Sequence, residues 1–554
     1  MEQRVVEIAS RGKLVVGEPF FTPGVPLVVD RKGLRDAGPG DLAVVRVGRG
    51  RARLDRVLGR ADAIEAVLEG LLVERGARVE LEPHDAPEPR LDGRADLRRL
   101  TTFTIDPETA KDFDDALSLR REEDGIRAWV HIADVSYFVP AGTPLDRGAE
   151  GRAFSTYVPG RVAPMLPPEL ADDLCSLRPH VDRLCVTVEI PPAGPASFYR
   201  SVIRSDRRYA YGEVEAVLAG RERPESAELG EALALADELT AELRRRRFER
   251  GALRIESTEI EFAFDGRGGV EHASRQSEPE AHRLVEELMI RANELVAELL
   301  AGRRRPALYR VHERPDPQSI GFLLSKLADL EVPTPPAPDP ERLGPADAGR
   351  LAGAISERVT EYVEQSGRGR EAFPTLVLQA LKQARYDPRN LGHSGLASPA
   401  YCHFTSPIRR YPDLVVHRAL LQELGVSDEP LPAELDELAE HVSAREREAA
   451  AVEFQADSIC LAWLLGTVLF ERGWDEAFPG EIVGVIGAGL FVRFGDVFEG
   501  FVPVRRLRDD WYETTPRGTG LVGRSGRRYR LGDAIEVRVR EIDRATGKVE
   551  LEPA

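Results

Sequence analysis

The alternation of apolar and polar positions changes character twice along the chain. In residues 1–60 the apolar runs are short: Leu14–Val16, Leu27–Val29 and Leu42–Val47, with Gly- and Pro-containing breaks between them. Runs of that length, bounded by turn formers, read as strands, and their spacing predicts one small barrel of OB or cold-shock type. Residues 61–80 read as helix, and His84–Gly93 as a Pro-rich connector. From about residue 96 to 475 strands mix with long helices. Leu284, Leu288, Leu295 and Leu299 fall on one stripe and predict a helix over Glu280–Leu300. A second long helix is expected over Pro432–Phe470, and the Pro-rich piece Val332–Pro345 reads as a surface loop inside the large domain. Beyond residue 480 the pattern returns to β in EIVGVI, GLFVRF, FEGFVPV, AIEVRVREID and KVELE. Five short strands are what a five-stranded OB barrel requires. The predicted class is α+β, with a barrel in 1–60, a helix and linker in 61–95, a mixed domain in 96–475 and a second barrel in 478–554.

Composition narrows the partners. The chain is 42% hydrophobic and 31% charged, ordinary for a globular protein. No run of about 18 uncharged apolar residues is present, so no membrane span is expected. The N-terminus, MEQRVVEIASRGKLVV, is charged throughout and lacks the apolar core of a secretory signal, so the expected location is the cytoplasm. Four scattered cysteines without a C-x-x-C pair fit reduced thiols better than disulfides or a zinc site. The net charge of −18 speaks against a nucleic-acid partner at first. Its distribution does not: residues 1–60 hold 12 Lys/Arg against 7 Asp/Glu, and residues 480–554 hold 13 against 12. Basic ends around an acidic middle suit RNA-binding modules flanking an enzyme that keeps carboxylates for metal.

Two segments carry chemistry. In TTFTIDPETAKDFDDALSL (Thr101–Leu119) a β-like run ends at Asp106, and Asp112, Asp114 and Asp115 follow closely. Carboxylates so close repel unless cations neutralise them. Oxygen-only ligands select Mg²⁺ or Mn²⁺ over zinc, and two such ions about 3.5–4 Å apart can drive phosphodiester hydrolysis. The spacing does not fit an EF-hand; on spacing alone an acidic structural loop stands level with metal catalysis. In YCHFTSPIRRYPDLVVHR (Tyr401–Arg418) the run Ser406–Arg410 sets hydroxyl and guanidinium donors beside aromatics, suited to gripping phosphate. His403 and His417 read as packed or hydrogen-bonding histidines, not metal ligands.

Together these segments resemble the ribonuclease II / ribonuclease R family, and the catalytic part resembles its RNB domain. The match runs from about Asp96 to Trp463 and includes VHIADVSYFV, STYVPGRVAPMLPPELADDLCSLRP, RGALRIESTEIEF, HRLVEELMIRAN, ALYRVHERP and GHSGLASPAYCHFTSPIRRYPDLVVHR. GEIVGVIGAGLFVRF, EGFVPV and YRLGDAIEVRVREID resemble the S1 RNA-binding domain that follows RNB in this family. The resemblance implies a Mg²⁺-dependent (alternatively Mn²⁺-dependent) 3′→5′ exoribonuclease acting processively on single-stranded RNA, with no DNA substrate and a monomeric chain. It implies that Asp106, Asp112, Asp114 and Asp115 are the catalytic aspartates. Asp114 would be the indispensable one, with the others holding or orienting metal. Arg409 would grip the scissile phosphate region, Tyr157 would clamp a terminal base, and Glu286, on one helix face with Asn293, would contact a base near the 3′ end. Glu453 is implied as a further active-site carboxylate.

In the S1-like part Phe491, Phe494, Trp511 and Tyr512 are candidates for base stacking, with Phe491 and the nearby Phe501 assigned to barrel core. Two departures stand out: there is room for one cold-shock-like domain where bacterial members often carry two, and no basic tail follows Ala554. The rival readings are a non-catalytic RNA-binding protein on a decayed RNB scaffold and a nuclease for tRNA 3′-end trimming. Retention of all four aspartates and Arg409 argues against decay.

Overall fold

The computed structural model describes residues 2–554 except 13, 31–36, 49–50, 83, 85, 255–259, 267, 276–278, 338–342 and 508–509. The RGALRIESTEIEF segment and the Val332–Pro345 piece therefore lie partly outside the described residues.

Five strands open the chain, ordered Leu27–Val28, Leu14–Pro19, Glu2–Arg11, Asp41–Val47, Ala52–Arg60. A parallel bridge from Val29 to Ala52 joins the two ends of that order. Val6, Ile8, Ala43 and Val45 fill the interior. Gly17 is required by the tight pairing there: a Cβ would sit 2.6 Å from Val6 Cγ2. Helix Ile64–Glu74 then covers Val5 and Leu42.

The central domain is built on a seven-stranded sheet. Its order is Arg207–Ala210, Phe103–Asp106, Asp115–Glu122, Gly125–Ala133, Asp182–Ile190, Ser197–Arg204, Ala95–Asp96. The two outer pairings are parallel and the inner ones antiparallel. Alternation along the strands sends Leu117, Leu119, Val130 and Ile132 to one face, under helices Ala227–Glu249 and Pro279–Gly302. Ala116, Ala133 and Cys185 face the other side, against helix Tyr411–Glu423. The expected helix over 280–300 is present, and its buried i+4 row is Leu284, Leu288, Ala292, Val296 and Leu300; Leu295 and Leu299 pack at its margin.

Helix Leu435–Arg472, where Pro432–Phe470 was expected, runs from this domain to the C-terminal barrel. Part of it is long and apolar enough to cross a membrane by composition alone, but 56% of that stretch is buried in the protein. There Trp463, Leu465 and Leu469 share one core with the C-terminal barrel.

That barrel is closed: Phe478–Ile486, Gly489–Phe494, Phe498–Pro503, Lys548–Pro553, Ala534–Asp543. The expected five-stranded OB-type barrel in the C-terminal region is borne out. A three-stranded sheet that the sequence pattern does not announce is inserted in it: Tyr512–Thr514, Gly520–Gly523 and Arg528–Arg530. Helices Pro317–Asp329 and Pro345–Ser366, which flank the Pro-rich piece, pack on each other and on Leu531 of the barrel. Arg368 pairs with Asp533 at 3.0 Å and Arg493 with Glu371, so this helical layer holds the barrel over the central domain. Gly532 (φ +75°) sits where a Cβ would lie 2.6 Å from the Phe373 ring.

Candidate active site

Pairing of Phe103 with Leu117 aligns the C-terminal end of one strand with the N-terminal end of the next. The antiparallel register therefore brings Asp106 to the same sheet edge as Asp114 and Asp115. They form the floor of a cleft of about 2310 Å³, whose walls come from the central domain, helix Leu435–Arg472 and the C-terminal barrel. Asp114 is 4% exposed. Burial drives its pKa well above the usual carboxylate range, against the opposing pull of Arg409 and the Ile408 N–H. Burial likewise raises Asp106, with the Asp115 charge adding to the shift, and burial raises Asp115 against Arg409 and Arg410. Asp106 Oδ2 and Asp114 Oδ2 are buried without a hydrogen-bond partner.

Buried acceptors without donors are costly unless something else fills the role. The carboxylate-only donor set fits a hard divalent cation. Among the described residues no three His, Cys, Asp or Glu side chains form a ready-made cage.

These shifts carry a sign. An acid whose pKa is higher folded than unfolded stabilises the fold most near pH 4, and that contribution is lost as pH rises through the folded value. In EDTA the protein should therefore melt at a lower temperature at pH 8 than at pH 5. Asp114→Asn should raise the stability in EDTA at pH 8, because burial opposes the charge that the substitution removes. A melting curve in which Asp114→Asn is neutral or destabilising at pH 8 would contradict this reading.

Three further groups surround the floor. The Tyr157 hydroxyl donates to Asp112 Oδ2 at 2.5 Å, and its backbone N–H donates to Glu453 Oε1 at 2.8 Å. Burial and the Asp112 charge push the phenol pKa up, so it remains a donor. The Ile408 N–H donates to Asp114 Oδ1 at 2.8 Å, and Arg409 Nε lies 3.6 Å from Asp114 Oδ2. Asp413, fully buried, shapes that loop. Its carboxylate takes the Ser406 N–H at 2.8 Å and Arg410 through Nε at 2.9 Å and Nη2 at 2.8 Å. The Ser155 N–H donates to Arg409 O at 3.0 Å, tying the same loop to the Tyr157 segment.

Glu286 is exposed in the cleft, 3.6 Å from Arg247. Asn293 is buried and organises the adjacent loop, donating to the Tyr401 hydroxyl at 3.1 Å and accepting from the Phe404 N–H at 2.8 Å. His403 lines the cleft with Nδ1 2.7 Å from the Tyr386 hydroxyl, and His417 bonds Phe404 O at 2.8 Å in the core. Neither stands in a metal cluster among the described residues.

In the barrel the aromatic assignments change. Phe491 and Phe501, expected in the core, line the cleft with ring centroids 5.0 Å apart. Phe494 is core at 2% exposure, and Tyr512 is buried against Tyr529. Trp511 is 65% exposed but lies outside the cleft lining. The structure also brings in residues that their sequence context does not single out. Tyr211 stacks on His282 with centroids 3.7 Å apart, and Phe454, 71% exposed, projects from the long helix. Tyr211 follows Ala210, whose parallel pairing with Asp106 puts it at the site.

Residues 94–425, more than half of the chain, match the RNB domain family, and residues 474–552 match the S1 RNA binding domain. Ribonuclease R of Thermotoga maritima is 33% identical, over 99% of this chain and 81% of that protein. The chain belongs to the ribonuclease R family. Ribonuclease R of Escherichia coli (strain K12) is 38% identical over 489 residues, 84% of this chain but 58% of that protein's length. The apo form of Mycoplasma genitalium RNase R superposes with a TM-score of 0.87 at 25% identity, covering 100% of this chain and 89% of that one. The family accounts for the α+β class, the RNB core and the C-terminal S1 barrel.

Proposed function

We propose that the protein is a 3′→5′ exoribonuclease that degrades single-stranded RNA processively to nucleoside 5′-monophosphates. The observation that carries the reading is the group of buried, partly unpartnered aspartates on the cleft floor, faced by Arg409 and Tyr157. In this reading Asp106, Asp112, Asp114 and Asp115 hold two Mg²⁺ ions, with Mn²⁺ as a substitute. When bound, they supply Lewis-acid activation of water and neutralise charge on the leaving oxygen. The chain's own side chains do the rest. Arg409, with its guanidinium half-exposed beside Asp114, draws the scissile phosphate onto the aspartates. The Ile408 N–H fixes Asp114 in one orientation. Tyr157 offers its ring to the terminal base while its hydroxyl holds Asp112.

Base contacts along the cleft fall to Phe491, Phe501 and Phe454, each face worth about 1–3 kcal/mol, and Glu286 addresses a base near the 3′ end. Preference for RNA over DNA rests on contacts to the 2′-hydroxyl. We take the N-terminal strands as a cold-shock-like RNA-binding domain, the chain as a monomer, and the cytoplasm as its location, in keeping with four free buried cysteines.

Tyr157 separates the two roles assigned to it. Tyr157→Ala should leave a longer final product on a sequencing gel, because the terminal base loses its clamp. Tyr157→Phe should keep the product length but weaken Mg²⁺ binding several-fold in calorimetry, because Asp112 loses its donor. Identical product lengths for wild type and Tyr157→Ala would remove the clamp from the account.

A further inference from the structure

The loop that carries Arg409 also sets a histidine in the cleft wall, and the bonding of that histidine leaves one N–H over. His403 Nδ1 lies 2.7 Å from the Tyr386 hydroxyl. Tyr386 is 2% exposed, and its N–H donates to Ser443 Oγ at 3.0 Å. The Arg310 guanidinium carbon lies 4.9 Å from its ring centroid, and Arg310 pairs with Glu446 at 2.7 Å. The phenol is thus held in place, with His403 Nδ1 the one partner of its hydroxyl among the described residues. A buried hydroxyl that accepted from an Nδ1–H would leave its own proton without an acceptor. The hydroxyl therefore donates and Nδ1 accepts, which puts the proton of a neutral imidazole on Nε2. Burial holds His403 well below the ordinary histidine range, with Arg410, Arg310, His393 and Arg409 adding to the shift, so the ring is neutral.

The ring is partly buried and lines the cleft, and among the described residues no protein group bonds Nε2. Around it the loop offers the cleft a set of donors: Thr405, Ser406 and Arg409. The charged side chains that helix Leu435–Arg472 gives the cleft are the carboxylates Glu446, Glu453 and Asp457, which repel phosphate. The backbone of a strand in the cleft is therefore favoured on the His403 side.

We propose that His403 donates its Nε2–H to a non-bridging phosphate oxygen of RNA in the cleft, and that Tyr386 is the positioning residue that keeps the proton on that nitrogen. This rests on the exoribonuclease reading for RNA as the occupant of the cleft. The contact adds grip without adding charge. Its loss therefore weakens binding by the same factor at every salt concentration, unlike the loss of an arginine.

The test uses the full chain in EDTA, with fluorescence anisotropy on a single strand of about 8 nucleotides. His403→Phe/Tyr386→Phe keeps both rings and removes both polar edges together, so no buried hydroxyl is stranded. It should bind about fivefold more weakly, the loss of one neutral hydrogen bond, with an unchanged slope of log affinity against log salt. His403→Gln, which restores an N–H donor near the Nε2 position, should stay within about twofold of wild type. Tyr386→Phe alone should fall between them, because the proton is then free to move to Nδ1. Single methylphosphonates along the strand locate the contact: at one position the loss should fail to add to that of the double variant. Additive losses at every position overturn the proposal and leave His403 to a base or to packing. Wild-type affinity in the double variant also overturns it, and a slope lowered by about 0.7 overturns the neutral donor in favour of an imidazolium. Tyr386→Phe indistinguishable from wild type overturns the positioning role. Shortening of the same strand by wild type with Mg²⁺ tests the exoribonuclease reading separately: a strand that shows the non-additive position but stays intact sinks that reading and not this contact.

Discussion

Asp114→Asn is expected to lower kcat by about 10³-fold or more while RNA affinity stays within about threefold of wild type. Losing even one neutral donor that stabilises the charge developing in a transition state costs about 2.7–4 kcal/mol. Asp114 stands at the upper end of that range. It is the most enclosed of the four aspartates; one oxygen is held by the Ile408 N–H, and the other is buried without a hydrogen-bond partner, 3.6 Å from Arg409 Nε. The amide keeps size and shape but removes the charge that any bound cation needs. In the proposed function RNA affinity comes from contacts to bases and phosphates along the whole cleft, of which Asp114 is one small part. Single-turnover cleavage and anisotropy on the same strand check both halves, and a parallel loss of binding and cleavage would reassign Asp114 to RNA binding. Because burial opposes the Asp114 charge, the same substitution should make the metal-free fold at pH 8 more stable than wild type.

Asp413→Asn should be the most destabilising single substitution at the site, by about 3–5 kcal/mol, because it removes the directly paired counter-charge of the largely buried Arg410 guanidinium. Asp413 is fully buried and the Arg410 side chain, on the cleft lining, is 16% exposed, so water replaces the lost partner only in part. An asparagine can still accept from the Ser406 N–H, but it cannot hold Arg410 through two charge-assisted bonds. Removing both charges in Asp413→Asn/Arg410→Met should recover part of the stability, since an unpaired buried charge costs more than an absent pair. Urea denaturation of the two variants decides it: a double variant as unstable as the single one would show that loop packing, not the charge pair, is responsible. Cleavage by the folded fraction of Asp413→Asn should also fall, because the loop that aims Ile408 N–H and Arg409 at Asp114 is released.

What could be read from the sequence was what is local in it. The four aspartates lie within one strand–loop–strand unit, so their spacing declares them, and the Ser406–Arg410 run lies next to the aspartate that shapes it. Helix Pro279–Gly302 was legible because its apolar period is sustained. Tyr211 was not: a strand pairing between residues about a hundred positions apart carries it to Asp106. His282 and Phe454 likewise reach the cleft through helix packing, which leaves no local mark.

The S1 aromatics show a different failure. In GLFVRF, strand parity puts Leu490, Val492 and Phe494 inside and Phe491 outside with Arg493, and the burial follows that parity. Phe501 likewise sits with Glu499 on the outer parity of its strand. Alternation, rather than hydrophobicity, decides which of these aromatics face outward. The inserted sheet was missed because strands of three or four residues, rich in Arg and Gly, carry no clear period.

The most direct measurement is a time course on a 5′-labelled single-stranded RNA of about 30 nucleotides, well beyond one OB-fold site, with Mg²⁺, with EDTA, and with Asp114→Asn. A ladder that shortens from the 3′ end to a product of a few nucleotides is expected in the first reaction, and intact RNA in the other two. RNA left intact by wild type with Mg²⁺, while still bound in a gel shift, would contradict the nuclease reading and make the protein an RNA-binding member of the family.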